Sequence, residues 1–133
     1  METEKVCVNL PAAELGKIDV LVAEGLFASR TDVIRAGIRG VLDEHDESVR
    51  RVVTDARIGY QLVTKAELEG ARRMGVRLNM FVVGVLRIGN GVSPELADQT
   101  IERIRIFGAV RATPDVLSLL EKRIVRGSEN LME

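Results

Sequence analysis

The N-terminal third of the chain carries two kinds of hydrophobic spacing. Residues 5–10 alternate between an apolar and a polar set, which are Val6, Val8 and Leu10 against Lys5, Cys7 and Asn9. Because successive side chains of a strand point to opposite faces, this spacing predicts a strand with one apolar face, which Pro11 ends. A ribbon of only two strands is marginally stable by itself, and no second strand follows nearby. We therefore expect the strand to pair with its copy in a second chain.

Two amphipathic helices are predicted after this strand. Apolar residues at helical spacing place the first helix at about residues 12–24, with a buried stripe of Leu15, Ile18, Leu21 and Val22. Gly25 is expected to end it in the left-handed conformation. Ser29, with Asp32 three residues later, has the pattern of a helix start. The second helix then has the apolar positions Val33, Ile34, Ile38, Val41 and Leu42.

This order of elements resembles the ribbon-helix-helix repressors of the Arc, MetJ and CopG type. The most specific parts of the resemblance are the strand ending in Leu10-Pro11 and the segment 25–35, GLFASRTDVIR. Together the matching parts cover about the first third of the chain. The resemblance implies an obligate dimer whose two strands pair antiparallel and enter the major groove of double-stranded DNA.

The resemblance also implies which residues contact DNA. Bases would be faced by the polar side of the strand, at Lys5, Cys7 and Asn9. Lys can donate to guanine and Asn can pair with adenine, whereas Cys departs from the usual Arg, Thr, Ser or Gln, so specificity is expected to rest on Lys5 and Asn9. Free backbone N–H groups gather at a helix start, so a phosphate would bind at Ser29, Arg30 and Thr31.

From about residue 50 the chain changes to a weak internal repeat marked by Gly59, Gly84 and Gly108. Each copy has the pattern of a strand, a Thr or Ser cap and a helix. Strands are predicted near 58–63, 78–88 and 104–112, and helices near 65–73, 94–103 and 114–123. Repeated strand–helix units predict a short, solenoid-like parallel sheet with right-handed connections. Its open edges would invite pairing with another subunit. In the third copy, alternation predicts an exposed face at Arg103, Arg105 and Arg111.

The predicted fold class is therefore α+β. A ribbon-helix-helix domain for DNA binding and dimerisation is expected at 1–46, and a linker or helix at 47–57. An α/β repeat domain for oligomerisation or signal input is expected at 58–126, followed by a tail at 127–133.

Charge weighs against strong DNA binding by the N-terminal part. The whole chain has a net charge of −1, and residues 1–45 contain five basic and eight acidic residues. Because duplex affinity depends on neutralising phosphates, we expect weak, salt-sensitive binding per dimer. Either the basic groups cluster on one face, or several dimers on one site provide avidity.

Several classes of function have little support in the sequence. One His and one Cys give no basis for a transition-metal sensor, a catalytic triad or a cofactor site, so we expect neither metal, cofactor nor enzymatic activity. The segment Gly89-Asn90-Gly91 lacks the spacing of a phosphate-binding loop and is interpreted as a turn. No apolar run is long enough to span a membrane and no signal peptide opens the chain, so a cytoplasmic location is expected.

The leading hypothesis is a transcriptional regulator, expected to be a repressor, that acts as a homodimer or a higher oligomer on double-stranded DNA. Two alternatives stay open at this point. The first is an antitoxin whose C-terminal region wraps a toxin, although such segments are usually polar and disordered when free. The second is a scaffolding protein that assembles through the repeat domain. The sequence does not identify an operator or a small-molecule effector.

Overall fold

The computed structural model describes residues 3–127, which form two compact units, residues 3–54 and 55–127. No helix in this range combines the length and the apolar character needed to cross a membrane. The N-terminal unit contains helices α1 (Ala12–Ala23), α2 (Arg30–Glu44) and α3 (Asp46–Val52).

The predicted end of α1 and the predicted start of α2 are confirmed. Gly25 has φ 77°, and its N–H donates to the Val22 carbonyl at 3.0 Å, while the N–H of Leu26 donates to Leu21 at 3.1 Å. This pair of bonds satisfies the last carbonyls of α1 and requires a left-handed residue at the glycine position. At the start of α2, the Ser29 hydroxyl accepts a hydrogen bond from the Asp32 N–H at 3.2 Å. The connection between α1 and α2 is therefore held by backbone hydrogen bonds at the end of α1 and by the Ser29 cap at the start of α2.

Residues 46–52, where the sequence left linker and helix open, are helical. Acidic residues occupy the first turn of α3 and basic residues the last, which suits the helix dipole. Two ion pairs one turn apart join them, Asp46 to Arg50 at 2.7 Å and Glu47 to Arg51 at 3.7 Å. Such exposed pairs each contribute only about 0.3–0.5 kcal/mol, so α3 is held by several small terms.

The C-terminal unit is a parallel sheet with helical connections. Its elements are β1 (Arg57–Val63), α4 (Lys65–Arg73), β2 (Leu78–Ile88), α5 (Pro94–Thr100), β3 (Ile101–Arg111), α6 (Pro114–Leu120), a 3₁₀ turn (Glu121–Arg123) and β4 (Ile124–Arg126). Within the described residues the strand order is β1-β2-β3-β4, and every neighbouring pair is parallel. The predicted sheet of sequentially stacked strand–helix units is therefore present.

Helix starts in this unit also follow the sequence. Thr64 and Glu67 form the predicted capping box, and Pro94 and Pro114 lie in the first turns of their helices. The segment 89–91 forms a turn, in which the Val92 N–H donates to the Gly89 carbonyl at 3.1 Å.

Two predicted helix ends were wrong, and one strand was missed. Helix α5 ends at Thr100 rather than near 103, because Ile101 is fully buried and pairs with Leu78 at the start of β3. Helix α6 ends at Leu120, and the chain continues through the 3₁₀ turn. Strand β4 was missed because three residues are too few to show the alternation of apolar and polar side chains that marks a strand. In the first case, strand pairing overrides local helix preference.

The core lies between the helices and one face of the sheet, which we call the inner face. Leu68 of α4, Leu96 of α5 and Leu120 of α6 are fully or almost fully buried there. The strands contribute Val82, Leu86, Ile88, Ile104, Ile106 and Val110. These aliphatic side chains alternate along β2 and β3, so all three helices pack on the same face.

The marker glycines of the repeat align across three strands. Gly59 pairs with Gly84, which pairs with Gly108, and their φ values are 109°, 135° and 130°. A Cβ atom on Gly84 would lie 2.2 Å from the Gly59 carbonyl oxygen, and one on Gly108 would lie 1.9 Å from that of Gly84. Gly84 and Gly108 therefore need glycine both for backbone conformation and for the close approach of neighbouring strands, whereas Gly59 needs it for backbone conformation alone.

We predict that Gly108→Ala lowers the free energy of unfolding by at least about 2 kcal/mol, although Gly108 is exposed to solvent, because the methyl group would meet backbone and the φ is unfavourable. Urea denaturation provides the measurement. Gly70→Ala in α4 is the matched control, since its Cβ would touch only the end of Arg73 at 3.9 Å. It should be neutral or stabilise by up to about 1 kcal/mol. Equal stability of Gly108→Ala and wild type would contradict the glycine alignment.

Candidate nucleic-acid interface

The segment predicted to form the ribbon pairs with no strand among the residues that the structure describes. Residues 3–11 form neither a helix nor a ladder with any other described strand, and each of them is exposed. Val6 keeps 80% of its surface accessible and Val8 keeps 71%. Pairing with a second copy stays a prediction.

The predicted base-contacting residues lie on this segment. Lys5, Cys7 and Asn9 alternate with the exposed valines, and all three are exposed. Within residues 3–127 their side chains take part in no hydrogen bond or ion pair, so their donors and acceptors are available to a ligand. The chemistry of base recognition would thus come from Lys5 and Asn9, as the resemblance implied.

The helices of this unit do not enclose an interior. Neither α1 nor α2 contains a buried residue. Half-buried positions are those of the predicted α1 stripe together with Phe27 and Val33. Leu26 keeps 67% of its surface exposed, and the apolar row of α2 is also open, at Ile34, Ile38, Val41 and Leu42. An apolar surface of this extent marks an interaction site.

The start of α2 is tied to α1 by an ion pair. Arg30 donates from Nε to Oδ1 of Asp19 at 2.7 Å and from Nη2 to Oδ2 at 2.8 Å. This two-bond geometry is the favourable form of an arginine–carboxylate contact. The hydrogen bonds from Arg30 lower the pKa of the Asp19 carboxyl and, reciprocally, raise the pKa of Arg30. The guanidinium of Arg30 is thus engaged within the chain, whereas the phosphate prediction for this helix start rested on its backbone N–H groups.

Ser29 and Thr31 differ in their surroundings. The Ser29 hydroxyl is used by the helix cap, whereas Thr31 is exposed. The backbone N–H groups of Arg30 and Thr31 have no acceptor among the described residues, so they are the donors that an anion at this helix start would use. No hydrogen bond or ion pair in the described part of the chain joins this helix start to Lys5, Cys7 or Asn9.

Asp19 was missed by the sequence analysis. It lies eleven positions before Arg30, beyond any helical spacing, and the contact depends on how α1 and α2 cross after Gly25. Only the three-dimensional arrangement of the two helices brings the charges together.

The family model described as the Ribbon-Helix-Helix transcriptional regulator family matches residues 1–117. The chain belongs to this family. The match extends through β3 into α6, so the family model includes most of the C-terminal unit as well. The family is one of transcriptional regulators rather than enzymes, and this ribbon-helix-helix protein is accordingly a DNA-binding transcription regulator.

A similar protein is the transcriptional regulator CdrS of Halobacterium salinarum (strain ATCC 700922 / JCM 11081 / NRC-1). It is 30% identical over 44 residues, which make up 33% of this chain and 80% of CdrS. CdrS is therefore too short to contain counterparts of both units. No solved structure matches this ribbon-helix-helix chain significantly.

We predict that the Asp19 carboxyl titrates below the ordinary value of about 3.9, because ionised Asp19 is held by Arg30. The contribution of the Asp19–Arg30 ion pair to folding stability is then present at neutral pH and is lost as the pH falls through the lowered pKa of Asp19. Side-chain NMR titration measures this directly. Arg30→Gln should return the pKa of Asp19 toward its ordinary value, whereas Arg35→Gln on the same helix should leave it lowered. An unchanged titration in Arg30→Gln would refute the ion pair.

Proposed function

We propose that this protein is a sequence-specific repressor that binds double-stranded DNA as a homodimer through a β-ribbon in the major groove. The observation that carries the proposal is the combination of an exposed, alternating segment at residues 5–10 with helices that have no buried residue of their own. Two copies of the segment, paired antiparallel, would turn their valines inward and Lys5, Cys7 and Asn9 outward.

Burial of apolar surface supports an obligate dimer. A fully buried Val, Leu or Ile side chain contributes about 1.5–3 kcal/mol relative to an exposed one. Each chain offers several such side chains on the segment, on the loop after α1 and along α2. Their combined burial would exceed the cost of bringing two chains together, so the N-terminal unit would fold and dimerise in one step.

DNA recognition in this proposal has two parts. Lys5 and Asn9 select bases by donating to guanine and pairing with adenine. The backbone N–H groups of Arg30 and Thr31 hold a phosphate and fix the position of the ribbon, without reading sequence. Arg30 keeps its contact with Asp19 in this arrangement, so it orients the helix start rather than neutralising a phosphate.

The C-terminal unit would supply avidity. Residues 1–54 contain seven basic and ten acidic residues, so electrostatic attraction of one dimer to DNA is weak. Several dimers on one operator would bind more tightly than a single dimer, provided that contacts between them hold the geometry. The sheet offers two edges for such contacts, at β1 and β4.

The antitoxin alternative has weaker support. Regions that wrap a toxin are typically disordered when free, whereas residues 55–127 fold around their own aliphatic core. A scaffolding role without DNA binding would leave the alternating polar residues Lys5, Cys7 and Asn9 unexplained.

We predict that Lys5→Ala combined with Asn9→Ala weakens binding to a duplex selected by the wild-type protein from a random library. The loss should be at least about tenfold, since each good base contact contributes about 1–3 kcal/mol. Fluorescence anisotropy at several salt concentrations is the measurement. Lys17→Ala combined with Asn90→Ala removes the same residue types elsewhere and should retain affinity. Equal binding by both double variants would show that the ribbon does not read bases.

We also predict that Val8→Glu converts the full-length protein to monomers, because a charge would enter the apolar face between the paired strands. Light scattering and sedimentation velocity report the subunit number. Val76→Glu makes the same chemical change at an exposed valine of the C-terminal unit and should leave assembly unchanged. A Val8→Glu protein that remains dimeric would locate the dimer contact elsewhere.

A further inference from the structure

The parallel sheet has a second face, which we call the outer face. It consists of the even-numbered positions 58–62 of β1 and the odd-numbered positions 79–87 of β2 and 103–111 of β3. Helices α4, α5 and α6 all pack on the inner face. On the outer face, Tyr60 keeps 50% of its surface exposed and Ile58 keeps 58%. Since parallel sheets are normally covered on both faces, an exposed apolar surface here indicates a binding partner.

Aromatic residues are concentrated on the outer face. The chain has three Phe and one Tyr, and Tyr60, Phe81 and Phe107 all lie on this face. The rings of Phe81 and Phe107 are neighbours, with centroids 6.2 Å apart. Tyr60 is in register with Val85 and Ala109, one row further along the strands. A chain so poor in aromatics therefore places most of them on one surface.

The charges of the outer face are all of one sign. It carries Arg87, Arg103, Arg105 and Arg111, and no Asp or Glu occupies any of its positions. By contrast, the chain as a whole has slightly more acidic than basic residues. Arg87 and Arg111 pair in register at one end of the strands, whereas Arg103 and Arg105 lie near the other end, about 20 Å away. The apolar rows lie between these two positive ends.

Arg105 is placed to contact an acceptor. Its guanidinium carbon lies 4.4 Å from the centroid of the Phe81 ring. Its Nε is buried and has no acceptor among the described residues. Beside it is an open hollow of about 360 Å³, lined by Asn79, Met80, Phe81, Arg103 and Arg105. An unpaired buried N–H costs stability, which an acceptor oxygen entering this hollow would recover.

We propose that the outer face binds single-stranded nucleic acid, with bases stacked on Tyr60 and Phe107 and phosphates held by the arginines at both ends. Stacking surfaces combined with arginines are the chemistry by which such strands are bound without sequence preference. A second copy of this face would oppose arginines with arginines. An acidic polypeptide would complement the positive charge of the outer face, but it has no bases to stack on the aromatic rings. This function is additional to duplex binding by the N-terminal unit.

Tyr60 provides the test, because it is the sole tyrosine and the chain has no tryptophan. Titration of the full-length protein with an oligothymidylate of about 15 nucleotides should quench Tyr60 fluorescence as bases stack on the ring. Polyglutamate, which has the charge but no bases, should cause no quenching. Absence of quenching by the oligothymidylate at saturating binding, or equal quenching by polyglutamate, would overturn the proposal.

Variants distinguish the outer face from the ribbon. The double variant Arg87→Glu, Arg103→Glu should weaken oligothymidylate binding, measured by anisotropy, at least about tenfold. The control double variant Arg73→Glu, Arg126→Glu changes two arginines outside the outer face and should weaken binding markedly less.

Tyr60→Leu, which keeps an apolar side chain at an exposed edge position, should weaken binding about fivefold or more. Lys5→Ala combined with Asn9→Ala should leave it intact. Circular dichroism melts identify any variant that fails to fold. Equal losses from both arginine pairs, or a loss caused by the ribbon variant, would refute the assignment.

Discussion

The apolar side chains of helices α1 and α2 have no interior of their own to fill. Helices α1 and α2 contain no buried residue, and the valines of residues 5–10 are largely exposed. This constraint determines how the unit can function, because the same pairing that covers the valines would turn Lys5 and Asn9 outward together. In the proposed dimer, dimerisation and the display of DNA-contacting residues would therefore be one physical event. The Asp19–Arg30 ion pair joins α1 to the start of α2 and so helps to fix the angle at which the two helices cross.

The C-terminal unit is stabilised differently. Its aliphatic core lies within one chain, between three short helices and the inner face of the sheet. The aligned glycines let neighbouring strands approach where any side chain would collide with backbone. A unit with its own core can keep its shape while it presents edges and an outer face to partners. It carries twelve basic and eight acidic residues between positions 55 and 127, and so has a net positive charge, whereas the N-terminal unit has a net negative charge.

Local signals in the sequence predicted much of this fold. Ser29, Thr64 and Ser93 begin helices, Gly25 ends one, and the three marker glycines fall in register, because each of these roles depends on a residue and its immediate neighbours. The family resemblance carried by residues 5–35 is confirmed by the match of the family model. What could not be predicted depends on tertiary contacts: the early start of β3 at Ile101, the short strand β4, and the pairing of Arg30 with Asp19. The expected exposed face at Arg103, Arg105 and Arg111 was placed correctly, but only Arg103 is exposed, whereas Arg111 and Arg105, whose guanidinium lies over Phe81, are half-buried.

The most direct test of the central claim is a distance across the dimer. Cys7 is the sole cysteine and is exposed, so a nitroxide spin label can be attached there without any substitution. Paired antiparallel strands lie about 4.8 Å apart. Pulsed electron paramagnetic resonance on the labelled full-length protein should therefore show one interspin distance below about 20 Å, allowing for the label arms. A dimer that shows no dipolar coupling, or only longer distances, would contradict the pairing of the two N-terminal segments.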